Sequence, residues 1–198
     1  MKIAILILAA GTSSRMGSPK QLLTINGKTF IEIAIENAIK TTVKDVFCVL
    51  GANAEKIKSE ISNQNVEFIF NKNYKKGLSS SIVFGIEYIK KQHLNFDAVL
   101  ILLVDQPEVD TEYLNDLIAT FQKNKTKIIA SSYSKKSGVP AIFPKKYFKS
   151  LQLLKGDKGA KEFLQKHTSE IIQLKRKQAF LDIDLPEEYE SYLKLILK

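Results

Sequence analysis

"LILAAGTSSRMGSPKQLL" occupies residues 6–23, and its reading decides the fold. An apolar run predicts a strand over Lys2–Leu8, which stops at Gly11. A polar loop with Arg15 and Lys20 follows, before the apolar pair Leu22 and Leu23. Ala9, Ala10 and Gly11 have almost no side chain, so a flat ligand can lie against their backbone. Amides along Gly11–Ser14 can cradle phosphate oxygens as a nest. Arg15 offers a planar fork and Lys20 a point charge, delivered by a segment that Pro19 stiffens. Two phosphate-loop patterns fail. A Walker loop needs G-x-x-x-x-G-K-[ST], but five residues separate Gly11 from Gly17, and Ser18-Pro19 intervenes before Lys20. A dinucleotide fingerprint needs a second glycine where Gly11-Thr12-Ser13 has none. A polyphosphate-binding loop is the reading the chemistry favours, against a tight strand-to-helix turn with incidental polar residues.

Outward from this loop, apolar strands alternate with amphipathic helices. The pattern predicts a helix over Thr29–Lys40 with Phe30, Ile33, Ala34, Asn37 and Ala38 at helical spacing. It then predicts a strand at VKDVFCVLG (43–51) and a helix at NAEKIKSEIS (53–62) capped by Asn53. VEFIFN (66–71) is a third strand, Ser79–Lys91 a helix entered through serines, and FDAVLILLVD (96–105) a central strand. A helix over Thr111–Lys123 and a strand at KIIASSY (127–133) continue the alternation. GVPAIFP (138–144) reads as a short strand, and GDKGAKEFLQKH (156–167) and PEEYESYLKLIL (186–197) as helices. Such alternation predicts an α/β fold with a mostly parallel sheet covered on both faces, here as one domain over residues 1–198. Ligands of such sheets sit beyond the carboxyl ends of the strands, where Gly11, Gly51 and Asp105 fall.

The whole chain narrows the classes. No apolar run approaches the length needed to cross a bilayer; the longest, Ala98–Val104, suits a buried strand. The N-terminal apolar segment reads as the first strand instead of a signal peptide, so a cytoplasmic protein without membrane association is expected. Cys48 is the single cysteine and reads as a core side chain. His93 and His167 are far apart, so no zinc cluster is expected. Thirty Lys and Arg against 21 Asp and Glu give +9, but the lysines are dispersed in pairs such as Lys75–Lys76 and Lys145–Lys146. No basic run is interleaved with aromatics, so nucleic acid is not the expected partner.

The opening loop resembles the LAAGxSxRMGxPKxLL signature of MobA-like nucleotidyltransferases. GLSSSI (77–82), LLVDQP (102–107), GVPAIFP, GDKGAK (156–161) and DIDLPEEY (182–189) match in order. This combination is similar to the molybdenum cofactor cytidylyltransferase group. The resemblance implies a Rossmann-like three-layer sandwich of nucleotidyltransferase type. It implies transfer of CMP from CTP to the phosphate of a molybdopterin-type acceptor, with Mg²⁺ and release of pyrophosphate. An apo-molybdoenzyme of the xanthine dehydrogenase class, or its chaperone, would be a partner.

By the same resemblance Arg15, Lys20 and Asp105 are catalytic. Leu8, Ala9, Ala10, Gly11, Gly77, Ser79, Ser80 and Ser81 join Arg15 and Lys20 in binding the nucleotide. Asp105 and Asp184 are the metal ligands, with Asp182 open as an alternative to Asp184; Gly138, Asp157 and Asp182 lie on the acceptor side. From the residues alone, Asp105 is a turn-initiating residue or a magnesium ligand, and Asp157 is an acceptor-side group or a helix cap. Guanylyl-transferring relatives carry LAGG where this chain has Leu8-Ala9-Ala10-Gly11, which favours CTP; one methyl supplies about 1–3 kcal/mol of discrimination. The alternatives are transfer to another phosphorylated small molecule, or a non-catalytic nucleotide or cofactor carrier.

Overall fold

β1 (Ile3–Ala9) is buried along its whole length, as a strand covered on both faces must be. Its side chains divide alternately: Ile3, Ile5, Ile7 and Ala9 enter one core, and Ala4, Leu6 and Leu8 the other. The computed structural model describes residues 1–61, 65–92, 95–133, 136–175 and 180–196. After β1 come a small hairpin of β2 (Thr24–Ile25) and β3 (Lys28–Thr29), then α1 (Phe30–Ile39), β4 (Asp45–Leu50) and α2 (Ala54–Ser59). β5 (Glu67–Phe70), α3 (Leu78–Lys91), β6 (Ala98–Leu103) and α4 (Thr111–Lys123) continue the alternation. β7 (Ile128–Tyr133), β8 (Lys136–Pro144), α5 (Phe148–Leu151), α6 (Lys161–Lys166), β9 (Ile171–Leu174) and α7 (Pro186–Ile196) complete the order.

The seven-stranded sheet runs β5-β4-β1-β6-β8-β7-β9. β1 pairs parallel with β4, Ile7 opposite Cys48, and with β6, Ile7 opposite Leu102. β8 runs antiparallel to both its neighbours, β6 and β7. The fold is therefore a three-layer α/β sandwich with a mostly parallel sheet. α1 and α4 pack on the Ile5 face, and α3, α5 and α6 on the Leu6 face. The register aligns the carboxyl ends of β1, β4 and β6, so Gly11, Gly51 and Asp105 share one edge.

Several local expectations change. α1 buries Ile31 and Ile35 with Phe30, Ala34 and Ala38, while Ile33 and Asn37 are only half-buried. Asn37 instead donates to the Val109 carbonyl, at 3.0 Å. Asn53 precedes α2 in a left-handed conformation, φ 55°, and makes no side-chain cap. α3 begins at Leu78, so its serines lie inside the first turn and Gly77 holds the cap position. The helix expected over 156–167 is confined to Lys161–Lys166, because Gly156 and Gly159 adopt positive φ; Asp157 makes no cap to it. His93 and the ends of two expected helices, residues 62 and 197, lie outside the described residues.

Thr29 starts α1 with a capping box: its hydroxyl accepts from the Glu32 amide at 3.3 Å, and the Glu32 carboxylate accepts from the Thr29 amide at 2.8 Å. Thr29→Ala lowers stability by about 1 kcal/mol. Urea denaturation reads this as a lower midpoint at unchanged slope, which Thr29→Ser restores.

Candidate active site

β1 ends at Ala9 and the chain then loops outward, with Ser13 at φ 54°. Buried Gln21 anchors the loop: its Nε2 donates to the carbonyls of Ala9, at 2.8 Å, and Gly11, at 3.0 Å. The Ser13 hydroxyl donates to Gln21 Oε1, at 3.2 Å, and accepts from the Lys20 amide, at 2.9 Å. These bonds fix the backbone on both sides of Arg15 and direct Lys20 back over the sheet edge. Sequence reading passed over Gln21; its signal was a polar residue between Lys20 and Leu22, where an apolar one would continue the run.

Lys20, Asp105, Asp184 and Arg15 form one cluster. Lys20 Nζ donates to Asp105 Oδ2 and, at 2.9 Å, to Asp184 Oδ1; Arg15 Nη2 donates to Asp184 Oδ2, also at 2.9 Å. The Ile183 amide donates to the Asp105 carbonyl at 3.1 Å, which ties the segment before α7 to the end of β6. Glu188 then accepts from the amides of Asp184, at 2.7 Å, and Leu185, at 2.9 Å. Burial opposes the Lys20 charge, but Asp105 and Asp184 outweigh it and raise its pKa. Burial likewise opposes the Asp184 charge, and Lys20 and Arg15 overcome it to lower its pKa.

Asp182 has different company. Gln106 Nε2 donates to Asp182 Oδ1 at 2.7 Å, to the Tyr133 hydroxyl at 2.7 Å and to the Val139 carbonyl at 3.3 Å. Burial raises the Asp182 pKa, and the charges of Asp105 and Asp184 add to the shift. Burial and Asp182 also raise the Tyr133 pKa, keeping its hydroxyl protonated. Gln106 was another omission; its signal was an amide directly after the carboxylate in DQP.

The cluster lines a cleft of about 800 Å³ with Leu8–Met16, Gly77, Leu78, Ser81 and Asp157. Lys75, Lys158 and Lys161 bring further positive charge to its lining. The cleft thus gathers Leu8, Ala9, Ala10, Gly11, Arg15, Lys20, Gly77, Ser81, Asp105, Asp157, Asp182 and Asp184. Three candidates fall elsewhere. Ser79 is fully buried, its hydroxyl donating to the Lys155 carbonyl at 3.2 Å. Ser80 donates to the Asn73 carbonyl, at 3.0 Å, and accepts from Asn71 Nδ2 at the same distance, bracing the turn before α3. Gly138 sits in β8 against the Tyr133 ring, where a Cβ would approach within 2.7 Å.

Asp105 Oδ1 is buried without a hydrogen-bond partner among the described residues. No group of three or more His, Cys, Asp or Glu arranged to hold a metal occurs among them. Among the described residues the cleft offers only Asp105 and Asp184 as a pair of hard oxygen donors joined through Lys20, and such a pair suits a hard divalent ion when phosphates and water complete the shell.

A cationic loop and paired carboxylates at the carboxyl edge of a parallel sheet define a nucleotide-binding α/β protein. The chain belongs to the MobA-like NTP transferase domain family, a nucleotidyltransferase family matched over residues 5–171. It is 28% identical over 207 residues to the purine catabolism protein PucB of Bacillus subtilis, covering 92% of each chain. Rv0371c of Mycobacterium tuberculosis, in complex with manganese, superposes with a TM-score of 0.82 at 22% identity, over 98% of this chain and 99% of that one. A CMP:2-keto-3-deoxy-manno-octonic acid synthetase complexed with CTP gives 0.76 at 15% identity, over 100% and 99%. At these identities the structural likeness is one of fold.

No helix among the described residues is long and apolar enough to cross a membrane.

Proposed function

We propose that the protein transfers CMP from CTP to the phosphate of a molybdopterin-type acceptor and releases pyrophosphate, with Mg²⁺. The observation that carries this reading is the convergence of Arg15, Lys20, Asp105 and Asp184 beside the glycine loop. An acceptor phosphate oxygen forms a bond to the α-phosphorus of CTP, the bond from that phosphorus to the bridging oxygen of the β-phosphate breaks, and pyrophosphate leaves with the electron pair. Alignment and charge neutralisation carry such a reaction. Arg15 and Lys20 bind the phosphates and meet the charge that grows on the leaving group. Asp105 and Asp184 would hold the divalent ion, which when bound would neutralise phosphate charge. Asp182, fixed by Gln106, and Asp157 face the acceptor; Gly77 and Ser81 border the nucleoside.

The base preference rests on Ala10, and the acceptor on the DQP, GVPAIFP and GDKGAK segments. The name of PucB adds support: xanthine is a purine, so a relative in purine catabolism accords with delivery to a molybdoenzyme of the xanthine dehydrogenase class. The reading is tested by pyrophosphate release from CTP, GTP, UTP and ATP with Mg²⁺, with and without molybdenum cofactor. Release from CTP only with that cofactor is expected. Release with a different phosphorylated acceptor alone would replace the acceptor, and CTP binding without release in any mixture would leave a carrier.

A further inference from the structure

We propose that the Lys20 ammonium is the resident cation of the Asp105–Asp184 pair, and that a divalent ion enters there only as a chelate with the nucleotide, which draws the ammonium onto its phosphates. The inference rests on the nucleotide-binding reading of the cleft and adds the form in which its substrate arrives.

Lys20 Nζ donates to both Asp105 Oδ2 and Asp184 Oδ1, so a cation already neutralises the two carboxylates that would hold a divalent ion. Ammonium and divalent ion repel one another, and the two occupants are mutually exclusive. The arrangement also leaves Asp105 Oδ1 buried and unpartnered among the described residues, an acceptor that a hydrated ion can satisfy. The exchange needs no backbone motion. Ser13 holds the Lys20 amide, and Gln21 is locked to Ala9 and Gly11, so only the four-carbon stem of Lys20 has to swing. Its path lies along the cleft that Lys20 itself lines. Arg15, whose side chain is 65% exposed and bonded to the other Asp184 oxygen, can follow. An incoming polyphosphate would offer Lys20 and Arg15 new partners, which would free Asp105 and Asp184 to hold the divalent ion that it carries.

The test is binding of Mn²⁺ without nucleotide, read as loss of the free-ion electron paramagnetic resonance signal. Wild-type protein binds Mn²⁺ weakly. Lys20→Gln and Lys20→Met bind it at least tenfold more tightly, and adding Asp105→Asn to either variant abolishes the gain. Equal or weaker binding by the Lys20 variants overturns the inference. Removing the ammonium leaves two carboxylates facing one another and can unfold a variant, which circular dichroism detects. In that case Mn²⁺ alone restores the folded spectrum if the inference holds, and failure to do so overturns it. Calorimetry of the wild type with CTP and Mn²⁺ separates the two readings. Absence of binding there removes the nucleotide site itself, whereas binding with unchanged Mn²⁺ affinity in the Lys20 variants removes only the exchange.

Discussion

Asp105→Asn slows nucleotidyl transfer by roughly a hundredfold or more, the usual cost of removing one preorganised charge from an active site. The amide has the shape of the carboxylate and still accepts from Lys20, so the circular dichroism spectrum is retained. What it lacks is the negative charge that, on the proposed reading, would hold a divalent ion together with Asp184. Raising Mg²⁺ therefore restores part of the rate. Lys20→Ala lowers the rate by a similar order through loss of a phosphate partner, and added Mg²⁺ does not restore it. Pyrophosphate release measured against Mg²⁺ concentration distinguishes the two responses. Wild-type turnover in either variant would remove that residue from the reaction.

Gly77→Ala has the second large effect, and it acts on stability and ligand binding together. Gly77 holds φ 92° and ψ 174°, a region that essentially only glycine occupies and that costs other residues about 1–3 kcal/mol. An added Cβ would also stand 2.2 Å from Asp157 Oδ1 and 2.6 Å from the Gly156 carbonyl oxygen. The joint must open, weakening the Ser79 amide bond to Gly156, now 3.1 Å, and the Ser79 hydroxyl bond to Lys155. At about 2–4 °C per kcal/mol for a chain of this size, a melting temperature lower by roughly 5–10 °C is expected. KM for the nucleotide rises as the cleft wall shifts. Gly11→Ala is the contrast: no atom lies within 4 Å of its added methyl, so its stability changes by less than about 0.5 kcal/mol. An unchanged melting temperature in Gly77→Ala would show that the two loops yield without cost.

The sequence made six of the sheet's strands legible because its central strands are apolar throughout, and made α4 legible to the residue; the edge strand β9, half-buried and only four residues long, was missed. Asp110 caps that helix, accepting from the Tyr113 amide at 2.8 Å, and Leu114, Leu117, Ile118 and Phe121 form one buried stripe. The 156–167 segment misled because its residues suit a helix, while Gly156 and Gly159 take positive φ to bring the loop against Gly77 and Leu78. Such conformations follow from tertiary contact, which local pattern does not carry. Within the site, the loop and strand-end residues were recoverable from position, and the structure gathers Arg15, Lys20, Asp105 and Asp184. Ser79 and Ser80 were misplaced because a serine-rich helix start gives no sign of which hydroxyl turns inward. Gln106 and Gln21 were missed because each acts by bracing a neighbour, a role visible only once Asp182 and the carbonyls of Ala9 and Gly11 are in place.

The tie from Ile183 to the end of β6 has a consequence for the order in which the protein acquires its chemistry during synthesis. The ribosome delivers the phosphate-seeking cations first, then Asp105, and the second carboxylate only when most of the chain has been made. In a chain made only just past β6, Asp184 is still absent and Asp105 is the one of Lys20's two carboxylate partners that has been synthesised. On the proposed reading the pair of carboxylates is complete only when the Ile183 segment closes across the sheet edge, and a product truncated before Ile183 is expected to lack transfer activity.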